Sequence, residues 1–189
     1  LLVANAGDDR LNGGTGNDTL RAGEGQDTIA ETAEASGHDL IYAGGGADSV
    51  AAGSGADTIW GEGGADFLRG EAGDDLLLGG LGADMLTGGA GADSFAFHSL
   101  RERGDTITDF DSSLDRLEFD AAAFGYGSQT GRVAAADCVT GTAQDASDHW
   151  IYDSAARTLS FDADGNGRGK ALVIASFEGG MDGWNIWLT

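Results

Sequence analysis

Residues 13–21 read GGTGNDTLR, and near-copies of this nonapeptide follow one another from residue 4 to residue 96. Placed in register, the copies share the pattern small, small, x, Gly, x, Asp, x, apolar, x. The sixth position holds an aspartate in all ten copies, namely Asp9, Asp18, Asp27, Asp39, Asp48, Asp57, Asp66, Asp75, Asp84 and Asp93. The eighth position is apolar in all ten, namely Leu11, Leu20, Ile29, Ile41, Val50, Ile59, Leu68, Leu77, Leu86 and Phe95. Such phased glycine and aspartate predict a repeating structure rather than a disordered Gly-rich linker.

The nine-residue period predicts a β-solenoid. A turn of six residues followed by a strand of three reverses the chain, so two copies complete one coil. The apolar residue of each copy then points inward, and successive coils stack their strands in parallel. Twelve residues instead of nine separate Asp27 from Asp39, which predicts that three extra residues, roughly 31–33, bulge out of one turn.

Stacked coils place each aspartate above the aspartate two copies away, in two columns. The first column holds Asp9, Asp27, Asp48, Asp66 and Asp84, and the second holds Asp18, Asp39, Asp57, Asp75 and Asp93. At the strand spacing of ~4.8 Å, neighbouring carboxylates repel each other by roughly 3 kcal/mol at an effective dielectric constant of about 20. The columns therefore need cations, and a site of carboxylate and carbonyl oxygens selects Ca²⁺ over zinc or copper.

These copies resemble the RTX nonapeptide, GGxGxDxUx, of secreted bacterial toxins and proteases. The resemblance implies an all-β fold, a right-handed parallel β-roll, in which each Ca²⁺ lies between copies n and n+2. There it contacts the carbonyls of positions 2 and 4 and the aspartate of one turn, with the carbonyls of positions 1 and 3 and the aspartate of the other. One central site joins Gly44, Gly46 and Asp48 to Gly61, Gly63 and Asp66. Its neighbour on the opposite edge joins Gly53, Gly55 and Asp57 to Gly70, Ala72 and Asp75, and ten copies allow at most eight sites. The residues implied as ligands are the ten aspartates together with Gly14, Gly16, Gly23, Gly25, Gly37, Gly44, Gly45, Gly46, Gly53, Gly55, Gly61, Gly63, Gly64, Gly70, Ala72, Gly73, Gly79, Leu81, Gly88 and Ala90.

Composition excludes several classes of partner. The formal net charge of −22 comes from 32 acidic and 10 basic residues, a balance that repels nucleic acid and anionic membranes and suits cations.

No apolar run is long enough to span a membrane. The single Cys138 permits no intramolecular disulfide. The start, LLVANAGDD, lacks the features of a secretory signal, and we expect the chain to be a fragment of a longer protein.

After residue 96 the repeat stops. Alternating patterns predict short strands at 105–110, 115–119, 149–152, 158–161, 171–175 and 185–188, and two short helices are expected at 121–124 and 133–138. We expect residues 1–96 to form the β-roll and residues 97–189 a mostly β cap. The segment GDTITDFDSSLDRLEF resembles the sequence that follows the repeats in type I-secreted proteases, lipases and alginate epimerases, which implies an uncleaved secretion signal in the C-terminal part. Asp105 either ligates a last ion or simply begins a strand. Residues 162–167, DADGNG, imitate an EF-hand loop, but a polar hairpin turn is favoured because position twelve is Val173 rather than Glu.

No HExxH, GxSxG or P-loop motif occurs, so the sequence predicts no enzyme within this chain. Each copy buries one main apolar side chain, which cannot offset ~1–2 kcal/mol of ordering entropy for each of nine residues. We therefore expect the calcium-free repeats to be unfolded. The sequence predicts a secreted, extracellular bacterial module that folds on Ca²⁺ and supports export of an upstream passenger domain through type I secretion machinery. The alternative is an adhesin or polysaccharide-binding module, for which Trp60 and Phe67 at outward positions are the candidate contacts.

Overall fold

A computed structural model describes residues 1–31, 37–142, 149–163, 171–181 and 183–189. The described chain is all-β apart from a one-turn 3-10 helix, Ala135–Asp137. Its strands form two sheets that face each other across a common core. The predicted parallel β-roll is confirmed, since successive strands of the repeats alternate between the two sheets, apart from the short β10, which lies in the same sheet as β9.

The first sheet holds the strands of one edge of every coil. In spatial order it contains β1 (Leu2–Val3), β3 (Thr19–Glu24), β5 (Leu40–Gly45), β7 (Thr58–Gly64), β9 (Leu76–Leu78), β12 (Ser94–Phe97), β14 (Arg116–Phe119), β20 (Ile186–Leu188) and β15 (Gly131–Arg132), with β10 (Leu81–Gly82) beside β7. All pairings in this sheet are parallel except that of β15 with β20.

The second sheet holds the strands of the opposite edge. In spatial order it contains β2 (Arg10–Leu11), β4 (Thr28–Ala30), β6 (Ser49–Ser54), β8 (Phe67–Ala72), β11 (Met85–Ala90), β13 (Asp105–Ile107), β19 (Leu172–Phe177), β18 (Thr158–Phe161), β17 (Trp150–Asp153) and β16 (Cys138–Thr140). The strands run parallel as far as β19, and β18 then pairs antiparallel with both of its neighbours.

The eighth position of each repeat forms the core of the roll. Because side chains alternate across a strand, one residue in two points inward, and register places the inward residues directly above one another. On the first sheet these are Leu20, Ile41, Ile59 and Leu77, all 0% exposed. On the second they are Ile29, Val50, Leu68 and Leu86, at most 1% exposed.

The irregular spacing leaves the strand register intact. Thr19 pairs with Leu40 and Thr28 with Ser49, both 21 residues apart, whereas Leu40 and Thr58 are 18 apart. The chain thus takes up three extra residues in one coil without shifting the inward face.

In the second half of the chain, strands lie in all six stretches where alternation predicts them, from β13 to β20. The helix predicted at 121–124 is wrong. There the Phe124 N–H donates to the Asp120 carbonyl in an isolated turn, and the Asp120 carboxylate accepts the Ala123 N–H. The helix predicted at 133–138 shrinks to the single 3-10 turn. Residues 164–167 of the EF-hand-like stretch lie outside the described residues. Within the described ranges, no helical segment has the length and apolar character needed to cross a bilayer.

Candidate metal centre

The turns between strands owe their shape to left-handed backbone at two positions of the repeat. The second and fourth positions have positive φ, for example 112° and 135° at Gly44 and Gly46. Glycine adopts these values without a steric penalty. At two second positions a glutamate adopts them instead, with φ of 69° at Glu62 and 77° at Glu71.

The turns stack so closely that hydrogen bonds continue through them. The fourth-position N–H of one coil donates to the third-position carbonyl of the next, as from Gly46 to Gly63 at 2.8 Å and from Gly55 to Ala72 at 2.8 Å. The third-position carbonyls that the resemblance implies as ligands are therefore already hydrogen-bonded once. A carbonyl oxygen has two lone pairs, so one remains available.

Each predicted aspartate column is present as a continuous hydrogen-bonded stack. The backbone N–H of an aspartate donates to Oδ1 of the aspartate in the next coil, at 2.7–2.9 Å throughout the repeats. This contact fixes the carboxylate rotamer and turns Oδ2 away from the N–H ladder.

At seven repeat aspartates, and at Asp105 beyond the repeats, the second carboxylate oxygen has no hydrogen-bond partner. Oδ2 is buried and makes no hydrogen bond at Asp27, Asp48, Asp57, Asp66, Asp75, Asp84, Asp93 and Asp105. An unpaired buried acceptor is costly, and an unpaired buried charge costs more. A cation bound beside these oxygens would offset the cost of burying them.

The unpaired Oδ2 atoms lie close to backbone carbonyl oxygens, beside the residue at the first position of the repeat. A Cβ placed on Gly61 would lie 2.7 Å from Asp66 Oδ2 and 2.4 Å from the Gly79 carbonyl oxygen. At Gly70 the corresponding distances are 2.2 Å to Asp75 Oδ2 and 2.8 Å to the carbonyl oxygen of Gly88. A carboxylate of one turn and a first-position carbonyl of the next coil thus converge on one small space.

Burial raises the pKa of these carboxyl groups. It raises the pKa of Asp66 to about 7, and although the Asp48 N–H lowers it in part, repulsion from Asp84 and Asp48 adds to the rise. Burial likewise raises the pKa of Asp75 to about 7 and that of Asp93 to about 6. Without a cation, these carboxyl groups in both columns therefore ionise less readily than exposed aspartates do.

The donors fit Ca²⁺, which takes six to eight oxygen ligands and tolerates irregular geometry. The structure brings together the groups predicted for the two central sites, Asp48 with Asp66 and Asp57 with Asp75. The glycines and carbonyls of their turns lie alongside, in register. That these residues bind the ion remains a prediction.

The turn with the extra residues differs from expectation at its first residue. Glu31 does not bulge outward: it is 6% exposed, and its two carboxylate oxygens accept the N–H groups of Gly13 and Gly14 at 2.5 and 2.9 Å. Residues 32–33 of the predicted bulge lie outside the described residues.

Two carboxylates that the repeat pattern leaves out extend the columns. Asp105 Oδ1 accepts the Asp84 N–H at 3.0 Å, and Asp115 Oδ1 accepts the Asp93 N–H at 2.9 Å. A signal exists in the sequence, because each is followed two residues later by an inward apolar residue, Ile107 or Leu117, as in the repeats.

The repeats of this chain are similar to a known protein family. A family model described as the RTX calcium-binding nonapeptide repeat matches residues 1–30, 35–59 and 60–95, in four copies. No curated protein matches this sequence. One similar solved structure is the solution structure of the AlgE6R3 subunit from the Azotobacter vinelandii mannuronan C5-epimerase. It is 27% identical, with 97% of this chain and 80% of that chain covered and a TM-score of 0.44.

Proposed function

Because the repeat half of this chain belongs to the RTX calcium-binding nonapeptide family, we propose that the chain is a module that folds when it binds Ca²⁺ outside the cell. The calcium-binding β-roll is the premise, and RTX repeats fit an extracellular, secreted protein in general. The proposal adds that folding depends on the ion, and that the module assists type I secretion and folding of an upstream passenger domain.

The observation that carries the proposal is the row of buried carboxylate oxygens without partners. In the folded chain the Asp48, Asp66 and Asp84 side chains are 1–2% exposed, stacked, and compensated on one oxygen only. When bound, Ca²⁺ supplies the positive charge that this arrangement lacks. The chain's own residues supply fixed, dehydrated oxygens that an unfolded chain does not hold together.

Because the calcium concentration differs across a cell envelope, the stability that the ion adds to the folded module differs between the inside and the outside. At a free concentration ten times the dissociation constant, binding stabilises the folded state by about 1.4 kcal/mol per site, and at cytosolic concentrations this contribution vanishes. We propose up to eight such sites in the nonapeptides. The module then stays unfolded, and able to pass an exporter, until it reaches the outside.

We also propose that residues 1–96 are the calcium-binding part and residues 97–189 the cap and export signal. Support comes from β15 and β18, whose antiparallel pairing ends the two parallel ladders. Terminal units of solenoids close the core in this way.

A secretion assay tests the export part of the proposal. The chain is fused behind a passenger enzyme and co-expressed with a type I exporter, and passenger activity is measured in medium with millimolar Ca²⁺ or with chelator. We expect active passenger outside the cell in calcium, and inactive or retained passenger in chelator. The control lacks residues 97–189 and should remain inside the cell in both media. Equal export of both fusions would overturn this role.

The two residues that favour the alternative, a polysaccharide-binding module, lie apart in the structure. Trp60 lies on the first sheet and Phe67 on the second, so the two do not form one stripe. Trp60 stacks on Tyr42 with ring centroids 6.2 Å apart, and the Arg21 guanidinium covers Tyr42 at 4.0 Å. These contacts occupy ring faces on which a sugar would stack.

A further inference from the structure

A cavity of about 440 Å³ lies in the C-terminal cap, outside the repeats. Its apolar wall includes the side chains of Leu100, Phe124, Tyr126 and Phe161. A cavity of this size holds a small organic molecule. Within the described part of the chain, its lining includes none of the column aspartates. A ligand in this cavity is therefore separate from the calcium ions proposed for the repeats.

The loop that carries Tyr126 is held by its own backbone. The Tyr126 N–H donates to the Ala121 carbonyl at 2.7 Å. Glycines with left-handed backbone stand on either side of Tyr126, with φ of 84° at Gly125 and 67° at Gly127. Glycine adopts these values without a steric penalty. The tight turn they allow places the phenol ring in the wall of the cavity.

Three aromatic rings and an imidazole ring meet around the cavity. The ring centroid of Phe161 lies 5.2 Å from that of Phe124 and 6.4 Å from that of Tyr126. The His149 ring lies 6.1 Å from Phe161 and 5.8 Å from Tyr126. Aromatic rings attract cations through the negative faces of their π systems, most strongly where water is excluded.

Asp137 adds a negative charge to the lining. It is partly buried, and its carboxylate forms no salt bridge among the described residues. Lysine and arginine are absent from the described residues that line the cavity. Burial raises the pKa of Tyr126 above its usual value, and the charge of Asp137 adds to the rise. The carboxylate therefore acts on the phenol at close range, and the net charge of −22 draws cations towards the chain.

The Tyr126 hydroxyl is a second polar feature of the wall. Its oxygen is buried and makes no hydrogen bond with any described residue, and the same holds for Nε1 of Trp150. The two groups are close enough for the indole to lower the Tyr126 pKa in part, but they do not meet in hydrogen-bond geometry. Because buried polar groups are normally paired, this hydroxyl is available to a bound molecule.

We propose that the cavity binds a small organic ammonium ion, with Asp137 as the counter-ion and the rings of Tyr126 and Phe161 beside its carbon substituents. A single carboxylate in an aromatic wall suits such an ion, because the rings contact the carbon groups and the carboxylate balances the charge. It does not suit Ca²⁺, which requires six to eight oxygen ligands. The inference goes beyond calcium-dependent folding and does not rest on it.

The first test needs only the parent chain, at saturating Ca²⁺ and constant ionic strength. The probe is choline, and the matched control is 3,3-dimethylbutan-1-ol, which has the same shape with carbon in place of the charged nitrogen. Binding of each is followed by the chemical shifts of backbone amides in NMR titrations. We expect saturable shifts at cavity residues with choline, and an affinity for the neutral alcohol that is about tenfold lower or less.

The second test compares two variants that each remove one negative charge from the cap. Asp137→Asn should weaken choline binding about tenfold. Asp153→Asn should leave it unchanged, since Asp153 is exposed, lies outside the cavity, and keeps as asparagine the acceptor for the Ala155 and Ala156 N–H groups. Near-UV circular dichroism checks that both variants fold. Absence of choline binding, equal affinity for choline and the alcohol, or equal affinity of the two variants would overturn the inference.

Discussion

The repeat half and the C-terminal half of this chain solve the same problem, two sheets facing one core, with different chemistry. In the repeats each strand contributes one aliphatic residue to the core, such as Ile59 or Leu68, and the turns bury carboxylates. In the C-terminal half the core is a cluster of packed rings, with Phe119 and Trp150 centroids 4.2 Å apart and Trp150 and Phe161 centroids 4.8 Å apart. Large aromatic side chains contribute most to core stability.

Under the proposed function, this difference indicates which part of the chain needs an ion to fold. The cap buries apolar surface and leaves few unpaired charges among its described residues, so its own packing stabilises it. The repeats bury one carboxylate for each inward aliphatic residue, and that carboxylate opposes folding until a cation neutralises it.

The largest expected effect is in the ring cluster. Trp150→Ala should lower the free energy of unfolding by about 3–5 kcal/mol, because a fully buried ring is lost and a cavity remains. Urea denaturation at saturating Ca²⁺ measures the change. Trp187→Ala is the matched control, since Trp187 is 36% exposed and should cost little. Similar losses in both variants would mean that the cap is not held by this cluster.

A central column aspartate should come next. Asp66 lies between Asp48 and Asp84 in the first column and is a predicted ligand of one site on either side. Asp66→Asn should therefore lower the thermal stability in Ca²⁺ by about 3 kcal/mol, at a free concentration ten times the dissociation constant of each site. The control is Asp74→Asn, an exposed aspartate that accepts the Ala92 N–H and whose amide variant keeps that acceptor. Calorimetric scans with and without chelator should show a loss for Asp66→Asn in calcium only.

Close stacking of the turns is tested by two neighbouring glycines. A Cβ on Gly64 would lie 1.4 Å from the Gly46 carbonyl oxygen, whereas a Cβ on Gly63 meets nothing within 4 Å. Gly64→Ala should shift the calcium midpoint of folding upward and cost about 1–3 kcal/mol, in line with overpacking elsewhere. Gly63→Ala should be neutral, or stabilise slightly by restricting the unfolded chain. Equal midpoints for the two variants would contradict the stacking seen in the turns.

The smallest effect concerns pH in the absence of calcium. The folded-state pKa values of Asp66 and Asp75 are raised from 3.8 to about 7, so their protonated forms favour the folded chain. This contribution is fully present below the unfolded pKa near 4 and is lost as pH rises through 7. In chelator, the β-sheet signal in circular dichroism should therefore increase between pH 8 and pH 5. In calcium, the midpoint concentration should rise over the same interval, because protons compete for the same oxygens. A chelated chain equally unfolded at both pH values would argue against the burial of these groups.

The sequence predicts most of the roll because each rule acts locally and repeats. A nine-residue period fixes which residues point inward, and glycine at fixed places fixes the turns, so the columns follow from register alone. The cap is less predictable. Alternation locates six of its strands but not β15 or β16. The pairing of β19 with β13 joins residues about 70 apart, and no local pattern encodes that contact.

The incorrect predictions from the sequence have similar physical causes. Residues 121–124 look helical by composition, but Asp120 bonds the turn amides and Gly125 follows with φ of 84°, so a turn forms instead. The repeat spacing places Glu31 among the inserted residues. Its carboxylate nevertheless accepts two backbone N–H groups, those of Gly13 and Gly14, in the neighbouring coil. The sequence leaves open whether Asp105 binds an ion or only begins a strand, because the turn before it no longer follows the repeat, although its strand does.

Far-UV circular dichroism of the full chain during a calcium titration, with magnesium as the control, tests the central claim most directly. The account predicts a cooperative transition from coil to β structure in the sub-millimolar to millimolar range of Ca²⁺. Mg²⁺ should give no transition, because it requires near-octahedral geometry and gives up its water reluctantly. A spectrum in excess chelator that already shows the full β signal of the repeats would contradict the account, since the carboxylate columns would then fold without a cation.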